Sequence, residues 1–242
     1  EGMRLVKKAK EEWILTASLT PHAAYSVSLK LFDLIRENLN EQENIISVHN
    51  QESLNEDPFV MDLEGKFKAL FEDLGFHLSG MKANRKTSFS FLLDVLPEAP
   101  SKLFVHNVHI DKEDINSLRP DVQKTFWVLC PRSNKYINGS LPPSFLTENY
   151  PEQICIGTDS LASNTSLSVI EEIRLLQSAH NLSIPVLLRF LNLNGAKALN
   201  IENKYGTFEK GKSPGVNLLE YPDFEKMKLT PKTRVRPLIN IR

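Results

Sequence analysis

Ile154-Cys155-Ile156-Gly157-Thr158-Asp159-Ser160-Leu161-Ala162-Ser163-Asn164 begins as a short apolar run and ends in small polar residues. The apolar half reads as a fully buried strand, which Gly157 breaks and Asp159 follows at once. A helical pattern then covers 167–179, with a capping-box signature at Ser168 and Glu171. A carboxylate therefore stands at the C-terminal mouth of a buried strand, on the turn into a helix, where α/β proteins place their chemistry. Asp is also common in turns for its backbone-bonding side chain. Asp159 alone does not decide between the two.

Upstream, apolar strand candidates fall at 13–18, 44–49, 102–105 and 125–129. Helical patterns lie between them at 28–39, 59–74, 88–96 and 111–118, the last stopped by Pro120, with a brief one at 143–150. Residues 1–12 read as the end of an exposed helix, 75–87 as a long polar loop, and 185–199 as a further helical region. Five strand–helix units in alternation mean a parallel sheet with helical crossovers. The strands are apolar on both faces, as a barrel or a doubly wound sheet requires. After Leu199 the character changes: 205–215 is turn-rich, and 216–219 and 235–241 are short strands. The expected division is a (β/α) barrel portion over 1–200 and part of a small β domain over 201–242.

The 242 residues carry 29 basic and 30 acidic side chains, a net charge of −1 spread along the chain. Nothing in that balance calls for nucleic acid or an anionic membrane. No apolar run approaches the roughly 20 residues a spanning helix needs, and no signal peptide is visible. Cys130 and Cys155, the only cysteines, lie in apolar runs and read as buried thiols. The expected location is cytoplasmic.

A polar, ligand-capable residue closes every strand: His22, then His49 with Glu52, then His106, Asn134 and Asp159. Any one histidine is more often a core group satisfied by hydrogen bonds. Three of six at strand ends is a different matter. In a barrel these ends converge on one mouth, and His with Asp is a donor set that zinc takes. His109 lies three residues past His106, where it can line a pocket wall. His77, in the polar loop, and His180, at a helix end, read as structural or solvated.

The ordered motifs resemble the amidohydrolase superfamily, in its branch of nucleobase and nucleoside deaminases and chlorohydrolases. Pro21-His22-Ala23-Ala24-Tyr25-Ser26 resembles that family's Pro-His-Ala-Pro-Tyr-Ser turn, and His49-x-x-Glu52 its metal-ligand histidine and glutamate proton shuttle. His106-Asn107-Val108-His109-Ile110 resembles its His-Gly-Val-x-Leu, and Gly157-Thr158-Asp159-Ser160 its last-strand aspartate. Cys130-Pro131-Arg132-Ser133-Asn134 and Gly206-Thr207-Phe208-Glu209-Lys210-Gly211-Lys212 also fit. Ala24 stands where proline is usual and Asn107 where glycine is usual. The larger departure is that no His-x-His occurs anywhere, although the family's first strand supplies such a pair as two metal ligands.

The resemblance implies a metal-dependent hydrolase of C–N bonds built on a TIM-type (β/α)8 barrel. This chain then corresponds to the C-terminal five βα units plus part of a small β-sandwich appendage. It implies deamination of a purine-like or other heteroaromatic amine by metal-activated water. The implied catalytic residues are Glu52, His106 and Asp159. His22, His109, Arg132 and Asn134 are the implied substrate contacts, and the Arg132–Asn134 turn reads equally well as purely structural. His49 and Asp159 are implied ligands of one Zn2+ or Fe2+, completed by the His-x-His pair that this sequence lacks. The expected partners are a small-molecule substrate and the N-terminal segment carrying that pair, with a homodimer left open. Two alternatives stand: a metal-free, non-catalytic relative serving as a binding or assembly domain, and an amide- or urea-type amidohydrolase.

Overall fold

The computed structural model describes residues 1–13, 15–40, 44–78, 82–118 and 124–239. They form two compact units, Glu1–Thr125 and Phe126–Arg242, each an arrangement of helices on parallel strands. No helix among the described residues is long and apolar enough to cross a membrane.

In the first unit α1 (Gly2–Glu11) and α2 (Leu29–Asn38) precede β1 (Ile46–Asn50). The Ser28 hydroxyl accepts the Leu31 N–H at 3.3 Å and starts α2, which buries Phe32 and Ile35. β1 pairs in parallel with β2 (Lys102–His106), from Ile46 opposite Lys102 to Asn50 opposite His106. Between them run α3 (Glu56–Asp62), α4 (Lys66–Asp73) and α5 (Ser88–Val95), and α6 (Lys112–Asn116) follows β2. Ile46, Val48, Phe59, Phe89, Leu92 and Phe104 form the buried core, with the Phe89 and Phe104 rings 5.0 Å apart.

Two expectations are corrected here. No strand forms among the described residues of 13–18: residues 15–20 form no ladder, and this part of the chain meets β1 in an isolated bridge that pairs Ala23 with His49. Side chains make the connection instead. Ser18 Oγ accepts the Ile45 N–H at 3.1 Å, and Thr20 Oγ1 accepts the Ser47 N–H at 2.8 Å while donating to the Ser47 carbonyl. The single helix expected over 59–74 is two helices, because Leu63 (φ 57°) and Gly65 (φ 82°) adopt left-handed backbone and end α3. Only part of the loop expected at 75–87 is described, and Pro120 lies outside the described residues.

In the second unit β3 (Thr125–Leu129) pairs in parallel with β4 (Ile154–Ile156), Trp127 opposite Ile154 and Leu129 opposite Ile156. α7 (Pro131–Asn138) and α8 (Ser144–Asn149) connect them, and α9 (Val169–His180) follows. The expected turn at 130–134 is thus the first turn of a helix, with Pro131 at its start. The capping box at α9 does not form: Ser168 precedes the helix but its hydroxyl makes no cap bond. The carboxylate of Glu171 is drawn instead to Arg174 and, at 3.6 Å, to Arg132.

The helical region after Pro185 is α10 (Ile184–Arg189), one π turn (Phe190–Asn194) and α11 (Gly195–Ala198). Asn194 Nδ2 donates to the carbonyls of Pro151 and Ile154, both at 2.8 Å, tying the π turn to the start of β4. β5 (Val216–Glu220) and β6 (Arg234–Ile239) make an antiparallel hairpin, and the expected strand end at Ile241 lies outside the described residues. Cys130 and Cys155 are buried thiols, and burial pushes that of Cys155 up to about 12.

Gly206 is required by both conformation and space. Its φ is +88°, and a Cβ there would lie 2.8 Å from Ala196 Cβ and 3.1 Å from the Asn192 carbonyl oxygen. Gly206→Ala is expected to lower unfolding stability by about 1–3 kcal/mol, read by urea denaturation; an unchanged midpoint contradicts this packing.

Candidate active site

Parallel pairing sets the geometry of the first unit's site. The Ala23–His49 bridge and the β1–β2 register place His22, His49 and His106 at the ends of three neighbouring segments. The His49 N–H donates to the His22 carbonyl at 2.9 Å. The His22 and His49 rings are 4.8 Å apart between centroids, as are those of His49 and His106. Glu52, one turn of loop past β1, brings Oε2 within 3.6 Å of His106 Nε2, where the His106 side chain is only 1% exposed. One ligand atom from each of His49, Glu52 and His106 lies within 4.8 Å of the others. Two imidazoles and a carboxylate at that spacing are a donor set that suits zinc or a similar divalent ion.

The remaining predicted residues of this unit sit around that group. His22 is exposed, and its Nδ1 is 2.8 Å from Ser26 Oγ. Burial and the carboxylates of Glu56 and Glu52 push the Tyr25 phenol up to about 12, and the Tyr25 ring meets His22 edge-on at 6.2 Å. His109 is half-buried, with its N–H on the Gln51 carbonyl at 3.0 Å. Burial lowers its imidazole pKa against the opposing pull of Asp57.

The loops that carry these residues are held in left-handed backbone at Gln51 (φ 44°), His106 (φ 78°) and Asn107 (φ 56°). Asn tolerates that region better than other side chains. This explains how Asn107 stands where the resembled motif has glycine. Its side chain also bonds locally: Nδ2 donates to the Phe104 carbonyl at 2.7 Å, and Oδ1 accepts from Asn50 Nδ2 at 3.1 Å. Left-handed non-glycine residues concentrate where a fold holds functional groups in fixed positions.

In the second unit Asp159, also left-handed (φ 54°), presents Oδ2 to the Ser133 hydroxyl at 2.8 Å and to the Ser163 hydroxyl. Ser133 and Asn134 are fully buried in the first turns of α7. Arg132 is engaged structurally: its Nε donates to Asn164 Oδ1 at 3.1 Å, a terminal nitrogen reaches Thr165, and its backbone N–H donates to Glu172 at 2.8 Å. Glu172, fully buried, also accepts from Asn164 Nδ2 at 2.6 Å. Burial raises its pKa, with Arg132 and the two hydrogen bonds opposing. His180, read from the sequence as structural or solvated, lies between Thr147 Oγ1 at 3.0 Å and the Pro142 carbonyl at 3.1 Å.

The structure thus gathers His22, His49, Glu52 and His106 in one unit, and Asp159 with Ser133 and Ser163 in the other. The sequence reading overlooked Glu56, Gln51, Ser133 and Glu172. For Glu56 a signal was present: Ser53-Leu54-Asn55-Glu56 is a capping-box pattern. Gln51 and Glu172 carry none, since their roles arise from long-range contacts.

Among known proteins, the amidohydrolase family profile matches residues 1–236. The chain belongs to the amidohydrolase family. A protein of Helicobacter pylori described as adenosine deaminase is 28% identical over 218 residues, which are 88% of this chain and 52% of that protein. A 5'-deoxyadenosine deaminase of Methanococcus vannielii is 30% identical over 245 residues, covering 97% of this chain and 51% of its own. The crystal structure of Helicobacter pylori aminofutalosine deaminase in complex with methylthio-coformycin superposes with a TM-score of 0.70 at 26% identity, over 86% of this chain and 51% of that one. The chain spans about half the length of the curated relatives it matches.

Two measurements test this site's construction. Asn107→Ala is expected to cost about 1–3 kcal/mol of stability, and Asn107→Gly less, because glycine keeps the left-handed backbone and loses only the side-chain bonds; equal losses in denaturant melts contradict the argument. Burial raises the Glu56 carboxyl to about 7 from its ordinary 4.5. A raised folded-state pKa contributes stability that is complete below pH 4.5 and lost as pH rises through about 7, by about 3 kcal/mol. Glu56→Gln is expected to flatten that slope in melts at stepped pH.

Proposed function

We propose that this chain carries the acid–base half of a metal-dependent deaminase acting on an adenine nucleoside or a related purine-like amine. The observation that carries the reading is the approach of His49, Glu52 and His106 to within 4.8 Å in a member of the amidohydrolase family. The adenosine and 5'-deoxyadenosine deaminases among its relatives support the substrate class. The fold that goes with this reading is the fourth to eighth βα units of a (β/α)8 barrel over 1–200, and part of a small β domain over 201–242. The parallel β1–β2 and β3–β4 pairs and the β5–β6 hairpin are consistent with it.

In this reading His49 and Asp159 hold a divalent metal, zinc or iron, with further ligands from polypeptide outside these 242 residues. The absence of any His-x-His and the coverage of about half of each relative support that. Such a metal lowers the pKa of water to near 7 and so supplies a nucleophile at neutral pH. With a metal held there, Asp159, its carboxylate oriented by the Ser133 and Ser163 hydroxyls, would take a proton from water. Glu52 would donate a proton to the ring nitrogen beside the carbon under attack, then take up the proton of the newly added hydroxyl and pass it to the departing amine, which leaves as ammonia. His106, beside Glu52, orients the attacking oxygen. His22, exposed at the rim, contacts the substrate together with His109. Arg132 and Asn134 complete the substrate contacts in this reading, Arg132 acting through the loop that it ties down.

The test is ammonia release from adenosine, 5'-deoxyadenosine and guanine, with metal content measured on the same preparation. The protein assayed is one in which these residues are joined to the additional ligands. Glu52→Gln is expected to lower turnover by about 100- to 10,000-fold with metal content unchanged, and chelation is expected to abolish turnover until zinc is restored. Turnover that survives Glu52→Gln, or that persists in metal-free protein, refutes the reading.

A further inference from the structure

Three successive backbone N–H groups after β1 converge on one side chain. Glu56 Oε2 accepts from Gln51 at 2.9 Å, and Oε1 accepts from Glu52 at 2.7 Å and from Ser53 at 3.1 Å. Glu56 is the first residue of α3 and is 1% exposed. Consecutive amides that face one anion form a nest, which needs a left-handed residue in the run. Gln51, at φ 44°, supplies it. In many proteins such a concavity holds a bound anion; here the chain fills it with its own carboxylate.

Capping the start of α3 would use one of these bonds, the one to Ser53. The other two reach beyond the helix into the loop, and the shortest is to Glu52 itself. The far side of the same loop is tied to the end of β2. The Asn50 carbonyl accepts the Asn107 N–H at 2.9 Å, the Gln51 carbonyl accepts that of His109, and Gln51 Nε2 donates to Asp114 Oδ2 at 2.7 Å and Asp57 Oδ2 at 3.1 Å. The loop is thereby fixed between α3 and the His106–His109 turn, with the Glu52 carboxylate held 3.6 Å from His106.

We infer that Glu56 is a positioning residue: by accepting the N–H groups of Gln51, Glu52 and Ser53 it fixes the backbone from which Glu52 reaches His106. Its consequence for turnover rests on the proton-transfer role proposed above for Glu52, whereas its structural content does not. A misplacement of about 1 Å at a reacting group costs roughly 100-fold in rate, so the effect belongs in kcat more than in KM.

The experiment uses Glu56→Ala and Glu56→Gln in the protein at pH 8, with amide hydrogen exchange and the His106 ring 15N resonances as readouts. Glu56→Ala is expected to speed exchange at Gln51, Glu52 and Ser53 by about tenfold or more, and to move the His106 resonances, with β2 amides still protected. Glu56→Gln keeps one acceptor oxygen and is expected to fall between, and it carries the test if the alanine variant does not fold. Unchanged Glu52 exchange and unchanged His106 resonances in a folded variant overturn the inference. Where deamination is measurable, kcat is expected to fall by about 100-fold with little change in KM; a fall that only tracks loss of folded protein also overturns it. The exchange and resonance readouts need no turnover. If they change as expected in a protein that deaminates nothing, the functional reading fails and the positioning role stands.

Discussion

The parallel register of β1 on β2, continued through the Ala23–His49 bridge, is the constraint on which the first unit's site depends. Side chains in a strand alternate between faces, so a slip of one residue would send His49 to the opposite side of the sheet from its present partners. What pins the register is largely apolar: Ile46, Val48 and Phe104 are buried almost completely. The hydrophobic packing and the placement of the polar residues are therefore one decision, made once along each strand. At or just past the last paired residues the backbone turns left-handed, and the chain changes from packing to presenting functional groups.

A shared device appears in both units. Each carries a buried glutamate near a helix start whose carboxylate binds the loop bearing an acidic candidate: Glu56 for the loop of Glu52, Glu172 for the loop leading from Asp159. Buried carboxylates are costly unless their oxygens are satisfied. Backbone amides of a tight loop are in turn costly to leave unmatched. At Glu56 each need meets the other, whereas Glu172 takes the Asn164 side-chain amide and the Arg132 N–H at the start of α7. Burial raises the pKa of both glutamates, which is the electrostatic side of the same arrangement.

Much of this was legible in the sequence because it is local. The short apolar runs ending at His49, His106 and Ile156 announced β1, β2 and β4, and the histidines at their ends marked the site. The misreadings have specific causes. Residues 13–18 have strand composition, but Ser18 and Thr20 meet β1 through hydroxyls, which no periodicity encodes. The apolar spacing from Phe59 to Leu74 runs through the break at Leu63–Gly65, where two left-handed residues outweigh helix propensity. Glu171 satisfied a capping pattern, yet two arginines compete for its carboxylate, and Arg132 comes from a distant part of the chain. Gln51 and Glu172 became visible only in three dimensions, since each links segments tens of residues apart.

The hydroxyl contacts along β1 also change what its edge offers to another strand. An open strand edge displays free amides and carbonyls in a repeating row, and any other extended chain can pair with such a row. Here the amides of Ile45 and Ser47 and the carbonyl of Ser47 are already claimed by Ser18 and Thr20. An incoming strand offers backbone groups at a fixed spacing and cannot reproduce two hydroxyls on alternate residues. The segment leading to His22 thus occupies this edge in a manner that does not propagate.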